Sequence, residues 1–152
     1  MNDKEFWEWY QDPMTNMYYE TWSLPRLFVQ FDIIFGENKE NTQNALDFAY
    51  RLAKCSLAKI DLVEEKRTLL AIRELGKSIS SDIDSHIIWE TCQFHLLEKG
   101  RALLDECNLK GRPKETSPLF KAKLTAVFDE YNVGFDKKAF VPIHYQKLDD
   151  RR

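Results

Sequence analysis

At 152 residues, 43% of them hydrophobic and 31% charged, the chain has apolar side chain enough for one core and the size of one domain, which excludes a disordered segment. Its formal charge of -3 selects neither nucleic acid nor protein as a partner, and three cysteines, Cys55, Cys92 and Cys107, form no close pair and so make a poor disulfide framework. The opening Met1-Asn2-Asp3-Lys4-Glu5 lacks the basic-then-apolar run of a signal peptide and no apolar stretch of about 18 residues occurs, so the expectation is a soluble, cytoplasmic protein without a membrane partner.

The spacing predicts a single all-α domain: short aromatic helices over 3–22, a main bundle over 24–131 giving five or six helices, and an extended tail over 135–152. Asp3 caps a first helix through Trp9, which Asp12-Pro13 stops, because the residue before proline is pushed out of the helical region. Ser23 precedes Leu24-Pro25, with proline in a first turn, and Leu27, Phe28, Phe31, Ile34 and Phe35 continue one helix to Gly36. After the polar run from Glu37 to Asn41, Thr42 opens a helix to about Lys59 with Leu46, Ala49, Ala53 and Ile60 on one stripe. Asp61 and Glu64 resemble a capping box for its antiparallel partner, which carries Leu62, Leu69, Ile72, Leu75 and Ile79.

Ser80-Ser81-Asp82 ends that helix and starts the longest one, Ile83 through Cys107, with Ile83, Ile87, Phe94, Leu97 and Leu104 inside and Gly100 weakening its second half. Asn108 to Thr116 contains Gly111 and Pro113 and is a loop. Ser117 then caps a last helix with Pro118 in its first turn, closed by Gly134. Beyond it, Phe140, Val141, Ile143 and Tyr145 around Pro142 predict an extended strap.

Chemistry-bearing patterns are few. Cys92 and His95 stand three apart and His86 and Glu90 four apart, but there is no Cys-x-x-Cys, His-Glu-x-x-His or paired Glu-x-x-His motif, so no metal and no cofactor is expected. Cys92 beside His95 has the residue types of a thiolate and its base, yet no third group orients the imidazole, and no catalytic residue is assigned. Phosphate-binding glycine loops and the Gly-x-Ser-x-Gly elbow are absent.

Two surfaces remain. Trp7, Trp9, Tyr10, Tyr18, Tyr19 and Trp22 crowd an acidic start, where Asp3, Glu5, Glu8, Asp12 and Glu20 against Lys4 leave a net -4. Such a cluster either seals a core or anchors a partner, and with an acidic rim it has the composition of a hot-spot patch. Lys110, Arg112, Lys114, Lys121 and Lys123 against Glu115 give residues 108–123 a net +4. The run Lys110-Gly111-Arg112-Pro113-Lys114 resembles the core of an AT-hook, which implies arginine in a DNA minor groove. The first expectation is therefore a non-catalytic adaptor, subunit or inhibitor that binds a protein, or itself, through the aromatic start. The alternative is a nucleic acid-associated protein using 110–123.

Overall fold

The computed structural model describes residues 1–33, 39–79 and 83–144. The expectations placed on Ile34, Phe35 and Gly36, on Ser80 to Asp82, and on the tail from Tyr145 lie outside the described residues. The chain is mostly helical, roughly the all-α class expected, and it also carries a small three-stranded antiparallel sheet that the expectation left out.

Asn2, one residue earlier than predicted, caps the first helix by accepting from the Glu5 amide at 2.8 Å. Helix α1 (Asp3–Phe6) runs through a π-helical stretch, Trp7–Gln11, into α2 (Asp12–Asn16) without a break, so Asp12-Pro13 does not stop it. Asp12 stays in the right-handed helical region, and its amide bonds back to the Trp7 carbonyl in the wider π register. The widened turn takes up the missing amide and the ring bulk of Pro13 that would break a regular α-helix.

Strand β1 (Trp22–Ser23) leads into α3 (Leu24–Leu27), capped by Ser23. The helix expected to run on instead turns at Phe28 into a 3-10 segment, Val29–Phe31, and Asp32 is left-handed at φ 48°. Helix α4 (Lys39–Lys54) buries Ala45, Leu46, Phe48, Ala49 and Leu52 and packs on α5 (Thr68–Lys77), so the expected hairpin partners meet. Between them lies β2 (Ala58–Ile60), followed by a turn in which Leu62 is left-handed at φ 63° and almost wholly exposed.

The longest predicted helix is three elements: α6 (Ile83–Thr91), β3 (Gln93–Leu96) and α7 (Glu98–Glu106). Gln93-Phe94-His95-Leu96 alternates polar and apolar, and the period of two wins because Phe94 and Leu96 are buried by pairing with β1 (Trp22 opposite Phe94) and β2 (Ile60 opposite Phe94, Ala58 opposite Leu96). On α6, Trp89 and Ser85 face inward, while Ile83 and Ile87 are exposed. Gly100 has a structural cause rather than a weakening one, since a Cβ there would sit 2.4 Å from the Leu57 carbonyl oxygen. Helix α8 (Pro118–Glu130), capped by Ser117, is as predicted.

The core joins both ends of the chain. Phe6, Tyr10, Phe48, Phe120, Phe128 and Phe135 form an aromatic cluster with ring centroids 5.1 to 6.2 Å apart. The segment after α8 crosses back as a strap. Asp47 accepts from the amides of Ala139 and Phe140 at 2.9 and 3.0 Å, and Arg51, one turn on, donates to the carbonyls of Val133 and Gly134. Val141 is fully buried, and the His144 amide donates to the Gly76 carbonyl at 2.8 Å. Among the described residues no helix is long and apolar enough to cross a membrane.

Candidate functional site

The two surfaces singled out by sequence face each other. Trp7, half-buried, donates its indole N–H to the Pro113 carbonyl at 3.0 Å, inside the basic loop. Arg112 hydrogen-bonds the Asn16 side chain and lies 3.9 Å from Asp12. Burial raises the Asp12 carboxyl above its ordinary value, and the Arg112 charge pulls it back. Lys121 reaches Asp3 at 2.9 Å and the Met1 carbonyl at 3.0 Å. Lys123 pairs with Glu106 at 3.4 Å.

Beneath these pairs lies Gln11, fully buried. Its amide nitrogen donates to the Glu115 carbonyl at 2.9 Å and its oxygen accepts from the Ser117 amide at 2.8 Å, and the Thr116 hydroxyl donates to the Asp3 carbonyl at 2.6 Å. Of the opposite charges at 1–20 and 108–123, Arg112 with Asp12 and Lys121 with Asp3 therefore serve an internal joint, while Lys110 and Lys123 pair with Asp105 and Glu106 of α7. Lys114 is exposed beside Trp7, Asp12 and Arg112, with which it lines an open depression of about 570 Å³. Arg112 has a left-handed backbone at φ 53°, which differs from the extended chain that an AT-hook lays along a groove.

Of the six aromatic residues, Trp9 and Tyr10 are core. Trp9 lies between Phe28 and Phe31, with centroids at 4.8 and 4.2 Å, and the Tyr10 hydroxyl accepts from Arg51 at 2.7 Å. Tyr18 and Tyr19 follow α2 as an edge-to-face pair with centroids 4.6 Å apart. Tyr18 is half-buried, its hydroxyl donating to Asp105 at 2.7 Å while the Lys110 ammonium sits 5.3 Å from its ring centroid. That hydrogen bond to the carboxylate is the main cause that raises the Tyr18 phenol. Tyr19 is 73% exposed. Trp22, half-buried on β1, donates to the Asn16 carbonyl at 2.9 Å, and Arg26 of α3 covers its ring at 5.0 Å. Exposed Arg26, and Asp105 beneath the tyrosine pair, were not singled out by sequence. Asp105 has no local signal, because α7 brings it to Tyr18 from 87 residues away, and Arg26, although only one helical turn from Trp22, carries no motif that marks it.

The nucleophile and metal patterns come apart in the fold. Cys92 follows α6, whereas His95 lies on β3 with Nδ1 3.3 Å from Asp61. Burial raises the Cys55 and Cys92 thiols to about 11 and pushes Cys107 up, so all three are held as thiols at neutral pH. Among the described residues no three His, Cys, Asp or Glu side chains converge as a metal site.

The arrangement around Tyr18, Tyr19, Trp22 and Arg26 brings together aromatic area, an arginine and polar edges, residue types on which recognition surfaces draw. No family model matches the chain, and neither a curated protein nor a solved structure matches it.

Proposed function

We propose that this chain is a small non-catalytic protein-binding module, an adaptor, subunit or inhibitor of the cytosol, whose contact surface is Tyr18, Tyr19, Trp22 and Arg26. The observation that carries the reading is Tyr19, 73% exposed against the edge of a Tyr18 ring that Asp105 holds in place. A ring immobilised before contact loses little conformational entropy on binding, and Tyr, Trp and Arg are the residues on which binding energy concentrates. Trp7 belongs to the joint with Pro113, and Trp9 and Tyr10 belong to the core.

The acidic rim contributes less than composition suggests, since Asp3 and Asp12 face Lys121 and Arg112. The same pairings weigh against the nucleic acid alternative: Lys110, Arg112, Lys121 and Lys123 each face a carboxylate, so phosphate contacts would compete with existing partners.

The test is a photo-crosslinking amino acid placed at Tyr19, with the same group at exposed Leu119 as control, irradiated in the native host. A nuclease-resistant, protein-sized adduct at Tyr19, absent at Leu119 and lost on Tyr18→Ala, supports the reading; an adduct with a second copy of the chain identifies self-association. Absence of any protein adduct at Tyr19, with nuclease-sensitive adducts when the group is moved to Lys114, overturns it.

A further inference from the structure

A cavity lies between the amino-terminal segment and α4. Met1, Glu5, Trp9 and Tyr10 on one side and Glu40, Asn44 and Arg51 of α4 on the other line a chamber of about 160 Å³, and Glu40 and Asn44 also line a groove of about 400 Å³ that reaches Lys138 and Ile143 of the strap. Arg51 is 5% exposed, and its hydrogen bonds go to the carbonyls of Val133, Gly134 and Lys137 and to the Tyr10 hydroxyl. Among the described residues it bonds to no carboxylate. The nearest in sequence, Asp47, is taken by the amides of Ala139 and Phe140. A buried guanidinium ordinarily has an anionic partner, because an uncompensated charge away from water is costly.

The donor count points the same way. Of five guanidinium N–H groups, four are accounted for by these bonds, which leaves one on Nη1, the nitrogen bonded to Tyr10. Tyr10 accepts that bond, and its own O–H has no acceptor among the described residues. Burial raises the Tyr10 phenol to about 12, so it keeps its proton and remains a donor at neutral pH. Tyr10 and Arg51 both line the chamber, and an adjacent phenol and guanidinium, one of them cationic, suit a carboxylate. At the exposed end, the carboxylates of Glu5 and Glu40 suit an ammonium group.

We propose that this chamber binds a small zwitterion of the amino-acid type, its carboxylate on Arg51 and Tyr10 and its ammonium between Glu5 and Glu40. The site does not depend on the protein-binding surface, which lies at Tyr19.

Calorimetric titration of the full chain with glycine, β-alanine and γ-aminobutyrate, against acetate and ethylamine as half-ligands, tests it. At least one zwitterion binds about tenfold more tightly than either half-ligand, one charge-assisted contact being worth that factor. Glu40→Gln, at an exposed position with no side-chain hydrogen bond among the described residues, removes about that factor for the zwitterion and leaves acetate unchanged. Tyr10→Phe weakens zwitterion and acetate alike. The proposal is overturned if none of the probes binds at about 10 mM, if acetate matches the zwitterions, or if Glu40→Gln changes nothing; the two donors would then serve buried water.

Discussion

The carboxamide of Gln11 is fully buried and uses both ends, donating to the Glu115 carbonyl and accepting from the Ser117 amide. Around it, Lys121–Asp3 and Arg112–Asp12 are solvent-facing ion pairs of the kind that contribute about 0 to 1 kcal/mol. Truncating Gln11 removes the partner of the half-buried Ser117 amide and of the carbonyl of exposed Glu115, and the shielded amide alone costs about 1–3 kcal/mol when left unsatisfied. Gln11→Ala is therefore predicted to destabilise by about 1–3 kcal/mol and Lys121→Ala by less than about 1 kcal/mol in urea denaturation. Equal effects would mean that charge, not the buried amide, holds the joint. Charge asymmetry was visible along the chain and aimed correctly at the two segments concerned. Gln11 was not visible, because a glutamine between Tyr10 and Asp12 has nothing local to show that its partners lie 104 residues away.

Among the elements, α8 with its hydroxyl cap and α4 with its apolar stripe were readable, whereas the capping-box pattern at Asp61 and Glu64 lies in the turn after β2 and α5 begins only at Thr68. Ser117-Pro118 started α8 where expected, because a hydroxyl cap and a proline in the first turn act locally. The stretch from Ile83 to Cys107 satisfied a helical stripe over its whole length, yet β3 interrupts it, since pairing with β1 and β2 buries Phe94 and Leu96 and only the third dimension supplies those strands. Asp12-Pro13 misled for a different reason: the π-helical turn absorbs a proline that a regular helix does not. Gly100 marks the place where α7 meets the chain leading into β2, with the Leu97 amide donating to the Leu57 carbonyl at 2.8 Å. A methyl at Gly100 would meet backbone rather than a movable side chain, so Gly100→Ala is predicted to cost about 1–3 kcal/mol despite the better helix propensity of alanine. Thermal denaturation checks the sign; a variant more stable than the parent would show that the approach of α7 to β2 is loose.

For the whole molecule, the amino-terminal helix, α4, α8 and the strap share one core, and Tyr10 sits at its centre with Arg51. Tyr10 gives that core an alkaline limit. Its folded value of about 12 lies above the 10.0 of a free phenol, because burial outweighs the Arg51 charge. Below pH 10 both states keep the proton and stability is unaffected; between 10 and 12 the unfolded chain loses it first, so stability falls as pH rises, by about 2–3 kcal/mol at the upper end. Cys55 and Cys92, raised from 9.0 to about 11, begin the decline from about pH 9. Urea midpoints across pH 8–12 should show this fall, flattened in Tyr10→Phe; an unchanged slope in that variant would place the phenol in water. The candidate surface was half legible at this scale. Clustering of aromatic residues identified the right segment, but which rings go inward depends on the π-helical turn and on Phe28, Phe31 and Phe48, all remote from the cluster.

The central claim is that the aromatic start divides into core, joint and presented surface, and hydroxyl-radical footprinting with mass spectrometry reads that division ring by ring. Trp9 and Tyr10 should be protected, Trp7, Tyr18 and Trp22 intermediate, and Tyr19 oxidised at the rate of a free side chain. Oxidation of Trp9 and Tyr10 as fast as Tyr19 would contradict it, because the amino-terminal helix would then lie outside the core and the joint with 110–121 would not exist.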